Sequence, residues 1–124
     1  MSNRISDKFK ELKSAKKSAF VAYICAGDPD YHKSLESMIA LDNAGADIIE
    51  IGVPFSDPLA DGIVNQMASA RALNAGMDVG KTLNLIKAFR QNSNTPIVIF
   101  TYLNPIYNYG FEEFHKEAAS HGAD

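Results

Sequence analysis

The sequence has 124 residues, 46% hydrophobic and 22% charged, with a net charge of −3. That is an ordinary globular composition, and its negative balance gives no electrostatic case for nucleic acid or an acidic membrane as partner. No apolar run approaches the ~20 residues of a membrane helix. Met1 to Lys17 is polar and lysine-rich, without the apolar centre of a secretory signal. The single cysteine, Cys25, excludes an intrachain disulfide and fits a reducing, cytoplasmic setting.

Residues 3–13 read as a short helix, with Ile5, Phe9 and Leu12 at helical spacing between lysines. Lys13 to Ser18 is a basic connector. Ala19 to Cys25 is a compact apolar strand, with Cys25 a buried small side chain at its end. Ala26-Gly27-Asp28-Pro29 turns the chain into a helix over 31–44, whose buried face carries Leu35, Met38 and Ile39. Gly45 stops that helix. Asp47 to Gly52 is a second strand, rich in β-branched residues as a buried parallel strand requires. Helices follow over 63–74 and 78–92, the latter with Val79, Leu83, Ile86 and Phe89 on one stripe. Ile97 to Tyr102 is a third strand and Asn104 to Gly110 the loop after it. Phe111 to Ser120 is a last helix, with Phe111, Phe114 and Ala118 inward.

One helix thus precedes three strand–helix units. No hairpin signal separates the strands, and every connection is long enough for a helix. That pattern predicts a parallel α/β sheet with right-handed crossovers. A weak repeat supports it: Gly45-Ala46-Asp47 opens the second strand, and Gly122-Ala123-Asp124 repeats it, so a fourth strand is due at Asp124. A (β/α)8 barrel needs roughly 250 residues. A small three-strand α/β domain is conceivable, but it would leave two unpaired sheet edges, so residues 1–124 are expected to be the N-terminal half of a single barrel domain.

The chemistry concentrates between Glu50 and Gly62. Glu50 is a lone carboxylate within an apolar strand; burial there disfavours the charged form and raises the pKa, which suits a general acid. Two prolines and two glycines then break regular structure and frame a loop with acids at Asp57 and Asp61. An acid at a strand's C-terminal end, facing another on the following loop, is where parallel α/β enzymes place catalysis. The ordinary alternatives are a satisfied core glutamate and turn aspartates. His32, His115 and His121 lack zinc-site spacing, and no Gly-rich dinucleotide fingerprint is present, so neither metal nor cofactor is expected.

The run Glu50-Ile51-Gly52-Val53-Pro54-Phe55-Ser56-Asp57-Pro58-Leu59-Ala60-Asp61-Gly62 resembles the signature of the tryptophan synthase alpha subunit family. The resemblance extends to Gly27-Asp28-Pro29, to Gln66, Arg71, Ala72 and Leu73, and to Tyr102, Asn104 and Gly110. It implies a (β/α)8 barrel with an extra N-terminal helix. It implies retro-aldol cleavage of indole-3-glycerol phosphate to indole and glyceraldehyde 3-phosphate. By motif position Glu50 is the acid–base residue and Asp61 the carboxylate at the indole nitrogen. Tyr23, Phe100 and Tyr102 resemble positions that line the indole slot, with plain core packing as their alternative. A beta subunit is the implied partner, faced by Pro54, Phe55, Ser56, Asp57 and Pro58 and by Asn104 and Asn108. Pyridoxal phosphate belongs to that partner. A non-catalytic subunit that binds and activates the beta subunit is the competing expectation. Three positions depart from the family pattern: Ile63 for a proline, Asn65 for an aliphatic residue, and Tyr23 for the usual phenylalanine.

Overall fold

A computed structural model describes residues 3–124; Met1 and Ser2, the start of the polar N-terminal stretch, lie outside the described residues. The elements run α1 (Arg4–Ser14), β1 (Val21–Cys25), α2 (Tyr31–Asn43), β2 (Ile48–Gly52), α3 (Ile63–Asn74), α4 (Val79–Arg90), β3 (Ile97–Phe100), α5 (Leu103–Tyr109) and α6 (Phe111–His121). The three strands form one parallel sheet in the order β1-β2-β3.

Side-chain caps start three of the six helices among the described residues. Asn3, Asp30 and Asp78 each cap one, accepting the backbone N–H of Ser6, Lys33 and Lys81. These bonds satisfy N–H groups that no helical carbonyl reaches. The start of α3 is different: Gly62 is its N-cap and offers no side-chain bond.

Strand pleating assigns the two sheet faces. Ala22, Ile49, Ile51 and Ile97 turn toward the helices and join a core with Met38, Ala72, Leu85, Ile86 and Phe89. The register places Tyr23 beside Glu50 and Glu50 beside Val98, so those three share the other face. Gly52 and Phe100 pair next to them at the strand ends. Among the described residues this second face is only partly covered: Ile48 on it is buried, while the positions nearer the strand ends and edges are open. Val21, Tyr23 and Phe100 are accordingly 46%, 36% and 50% exposed.

The structure differs from the sequence reading in several places. The stretch after β3 is helix α5 rather than a loop, and β3 ends at Phe100 rather than Tyr102. Pro105 sits in the first turn of α5, where its missing N–H has no helical partner to lose. Gly110, at φ 107°, then ends α5. Phe111 is not inward: it is 49% exposed and stacks on His115, while Phe114 and Ala118 bury the inner face of α6. Among the described residues no helix is long and apolar enough to cross a membrane.

Candidate functional site

β2 delivers Glu50 two residues before its C-terminal end. Its neighbours Ile49 and Ile51 point into the core, which fixes the carboxylate on the opposite face. Glu50 is half-buried there, less than the apolar run alone suggested, because this face is only partly covered among the described residues. Tyr23, its register partner on β1, leans over the end of β2. A Cβ at Gly52 would overlap the Tyr23 hydroxyl oxygen, so only glycine leaves room for this ring. Phe100 closes the third side, its ring meeting Tyr23 edge-on at 6.0 Å between centroids.

Asp61 reaches the same place from the loop. Burial, then the charges of Cys25, Asp61 and Glu50, push the Tyr23 hydroxyl up to about 12. Tyr23 therefore feels both carboxylates and stays a neutral donor throughout the neutral range. Asp61 is half-buried, and its carboxylate takes no hydrogen bond or ion pair among the described residues. Its own N–H donates to the Pro58 carbonyl at 3.1 Å, and its carbonyl accepts Gln66 Nε2 at 2.7 Å. Tyr102 stands beyond β3 as the residue before α5. Its hydroxyl oxygen accepts the Ala60 N–H at 2.9 Å, and its ring packs on Phe55 at 5.2 Å.

The other sequence-predicted residues divide. Pro54, Phe55, Ser56 and Asn108 line one groove of about 500 Å³, closed by Val79, Gly80 and Tyr109. Pro58 lines an adjoining hollow with Phe55 and Gln66. Asp57 and Asn104 are exposed and stand outside both. Asn65 is half-buried in a third hollow, beside Tyr23, Cys25 and Arg71. Cys25 is buried against Ser69, and burial pushes its thiol up to about 11, the wrong direction for a nucleophile.

Sequence reasoning gave no role to Gln66, nor to Arg71 and Asp28. The structure joins the last two in a bidentate pair, Nε to Oδ1 at 2.7 Å and Nη2 to Oδ2 at 2.9 Å. That pair ties α3, the helix after the acidic loop, to the turn after β1. A glutamine in the first turns of an otherwise uncapped helix was the available signal for Gln66.

The tryptophan synthase alpha chain family matches residues 9–124. Tryptophan synthase subunit alpha from Legionella pneumophila str. Paris is 39% identical over 100% of this chain and 48% of its own, with a TM-score of 0.97. A mutant tryptophan synthase alpha-subunit from Pyrococcus furiosus is 44% identical over 86% of this chain and 43% of its own, TM-score 0.82. Tryptophan synthase from M. tuberculosis in an aminoacrylate-bound form is 34% identical over 98% of this chain and 49% of its own, TM-score 0.92. The chain spans about half the length of these relatives. Its helix and three βα units are thus the first part of a (β/α)8 barrel. This chain belongs to the tryptophan synthase alpha chain family.

Proposed function

We propose that these residues form the acid–base half of a lyase site that cleaves indole-3-glycerol phosphate into indole and glyceraldehyde 3-phosphate. One observation supports the reading most. Glu50 stands beside Tyr23 in register on the less covered face of the sheet, and the charges of Asp61 and Glu50 both add to the rise of the Tyr23 hydroxyl. A non-catalytic subunit has no need of two acids held around an aromatic slot.

The chemistry divides between them. Glu50, protonated, gives its proton to indole C3, and positive charge develops at the ring N–H. Asp61, ionised, stabilises that charge. Glu50, now a carboxylate, takes the proton of the side-chain hydroxyl next to C3. The carbon–carbon bond breaks, its electron pair returns to the ring, and an aldehyde leaves. Tyr23, Phe100 and Tyr102 supply the aromatic walls. We assign no cofactor to this chain. The groove at Pro54, Phe55, Ser56 and Asn108, with Asp57, Pro58 and Asn104 near its rim, is assigned to a beta subunit that carries pyridoxal phosphate. The M. tuberculosis relative, a tryptophan synthase in an aminoacrylate-bound form, supports a beta subunit as partner.

The test is indole release from indole-3-glycerol phosphate. It uses a barrel-length chain, in which residues 1–124 are completed with the second half of a family member. Glu50→Gln is expected to abolish release while circular dichroism stays unchanged. Turnover close to that of the parent in a folded variant would remove Glu50 from the acid role. Residues 1–124 as an isolated polypeptide are expected to release no indole. The face bearing Glu50 lacks a far wall among them, so its carboxyl meets water and the substrate is not positioned.

A further inference from the structure

Asp61 sits on a loop, where side chains are harder to hold than on a strand. Yet the backbone on either side of it is held from two distant elements. Ahead of it, the Ala60 N–H donates to Tyr102 Oη at 2.9 Å, from the residue that opens α5. At Asp61 itself, the carbonyl accepts Gln66 Nε2 at 2.7 Å, from the second turn of α3. Its remaining backbone donor is spent within the loop, on the Pro58 carbonyl. Among the described residues its carboxylate takes no hydrogen bond.

The rest of α3's start makes these bonds more consequential. Gly62 gives no side-chain cap, and Ile63 stands where a rigid proline would hold the first turn. Leu59 and Ile63 are 84% and 67% exposed, so little apolar packing orders the segment among the described residues. The two side-chain hydrogen bonds are then the main restraint on where the Asp61 carboxylate points.

We propose that Gln66 and Tyr102 are positioning residues that bracket the Ala60–Asp61 peptide and hold the Asp61 carboxylate toward Tyr23 and Glu50. Gln66 is given no part in the chemistry itself; it acts through Asp61. Tyr102 has a second task besides lining the slot. Its ring is braced by Phe55, so the hydroxyl that accepts from Ala60 is itself fixed. The functional side of this proposal rests on the lyase reading above; the structural side does not.

Two measurements on the barrel-length chain separate them. The first is amide hydrogen exchange by NMR. Tyr102→Phe keeps the ring on Phe55 and removes the acceptor; Gln66→Met keeps the volume and removes the donor. Each is expected to speed exchange at Ala60 and Asp61 about tenfold or more, with the amides of β1–β3 unchanged. Unchanged exchange at Ala60 and Asp61 in both variants would overturn the bracket, whatever the protein catalyses.

The second is a double-mutant cycle on indole release. Gln66→Met is expected to lower kcat about tenfold to a hundredfold with little change in KM, as a misplaced group costs in the transition state. In an Asp61→Asn background the same change is expected to cost little more, because its target is already gone. An equal loss in both backgrounds would show that Gln66 acts elsewhere and would overturn its positioning role. If Asp61→Asn alone leaves turnover intact, the lyase reading fails, and the exchange measurement still decides the bracket.

Discussion

Asp124 stands to Ile97 as Asp47 stands to Phe20. Asp47 donates its N–H to the Phe20 carbonyl at 2.9 Å and accepts the Phe20 N–H on its carboxylate at 2.8 Å. Asp124 makes the same two bonds with Ile97, at 2.9 and 3.0 Å. Each aspartate follows a glycine at positive φ by two residues, Gly45 at 97° and Gly122 at 96°. At Asp47 the Gly-Ala-Asp run feeds β2 in beside β1, and at Asp124 it repeats the same contact against the first residue of β3. The glycine ends the helix in a conformation that costs other residues energy, and the aspartate locks register at the first rung. Asp124 does more than its counterpart. Its side chain, 4% exposed, also accepts Arg4 Nη1 at 2.9 Å and Arg90 Nη2 at 2.8 Å.

Asp124→Asn in the barrel-length chain is expected to cost about 3 kcal/mol, because it leaves the Arg90 guanidinium, only 11% exposed, without its anion. Arg90 also donates to the Gly122, Ser93 and Thr95 carbonyls, so the change loosens the whole foot of β3. Urea denaturation measures it. A loss under about 0.5 kcal/mol, the range of an ordinary surface substitution, would show that the other donors suffice.

Asp61→Asn in the same chain is expected to reduce indole release by about 10²–10³, the usual cost of one electrostatic contact made in the transition state. The amide keeps shape and cannot match a developing positive charge. Steady-state kinetics decide it. A twofold change would make Asp61 a structural turn residue.

Gly52→Ala is expected to destabilise by about 1–3 kcal/mol, the range for overpacking a filled site. The new methyl would overlap the Tyr23 hydroxyl oxygen and force the ring off the strand end. Tyr23→Leu should recover part of the loss in the double variant, since the overlapping atoms are then gone. Thermal unfolding of the three variants reads both effects. Additive losses would mean that the two residues do not meet.

Tyr109 gives the chain an alkaline limit. Its hydroxyl donates to Glu117 at 2.5 Å, and that bond, with burial and the Glu117 charge behind it, pushes the phenol from 10.0 up to about 12. A raised folded-state value favours the neutral form in the native protein. The contribution is complete below pH 10.0 and is lost as pH rises toward 12. Tyr23, raised mainly by burial, adds loss in the same window. Tyr109→Phe is expected to lower stability at neutral pH and to flatten its decline above pH 10. Denaturation midpoints across pH 8–12 test this, and an unchanged alkaline slope would count against it.

Helix and strand order was legible in the sequence because burial periodicity and caps are local. Ile5, Phe9 and Leu12, and Val79, Leu83, Ile86 and Phe89, announce helices by their spacing, and the β-branched run around Glu50 announces a parallel strand. The family was legible too, since the run from Glu50 to Gly62 is long and contiguous. Helix α5 was not. Pro105 breaks a helix interior but fits a first turn, and only a defined start at Tyr102 tells which applies. Phe111 was misplaced for a related reason: helical spacing identifies a stripe, but the edge of that stripe depends on what packs against it.

What the sequence determined by itself was the identity of the two acids, the aromatic residues near them and the strand that carries Glu50. Only tertiary structure decided which groups hold Asp61 in place. Gln66 and Tyr102 lie five and forty-one residues from it; one bonds its carbonyl and the other the N–H of Ala60 beside it, backbone atoms that have no residue type to read. Tertiary structure alone also made Gly52 the seat of Tyr23 and joined Arg71 to Asp28. Such contacts depend on strand register and on the angle at which a helix returns to the sheet. Those are properties of packed elements, and no short stretch of sequence states them.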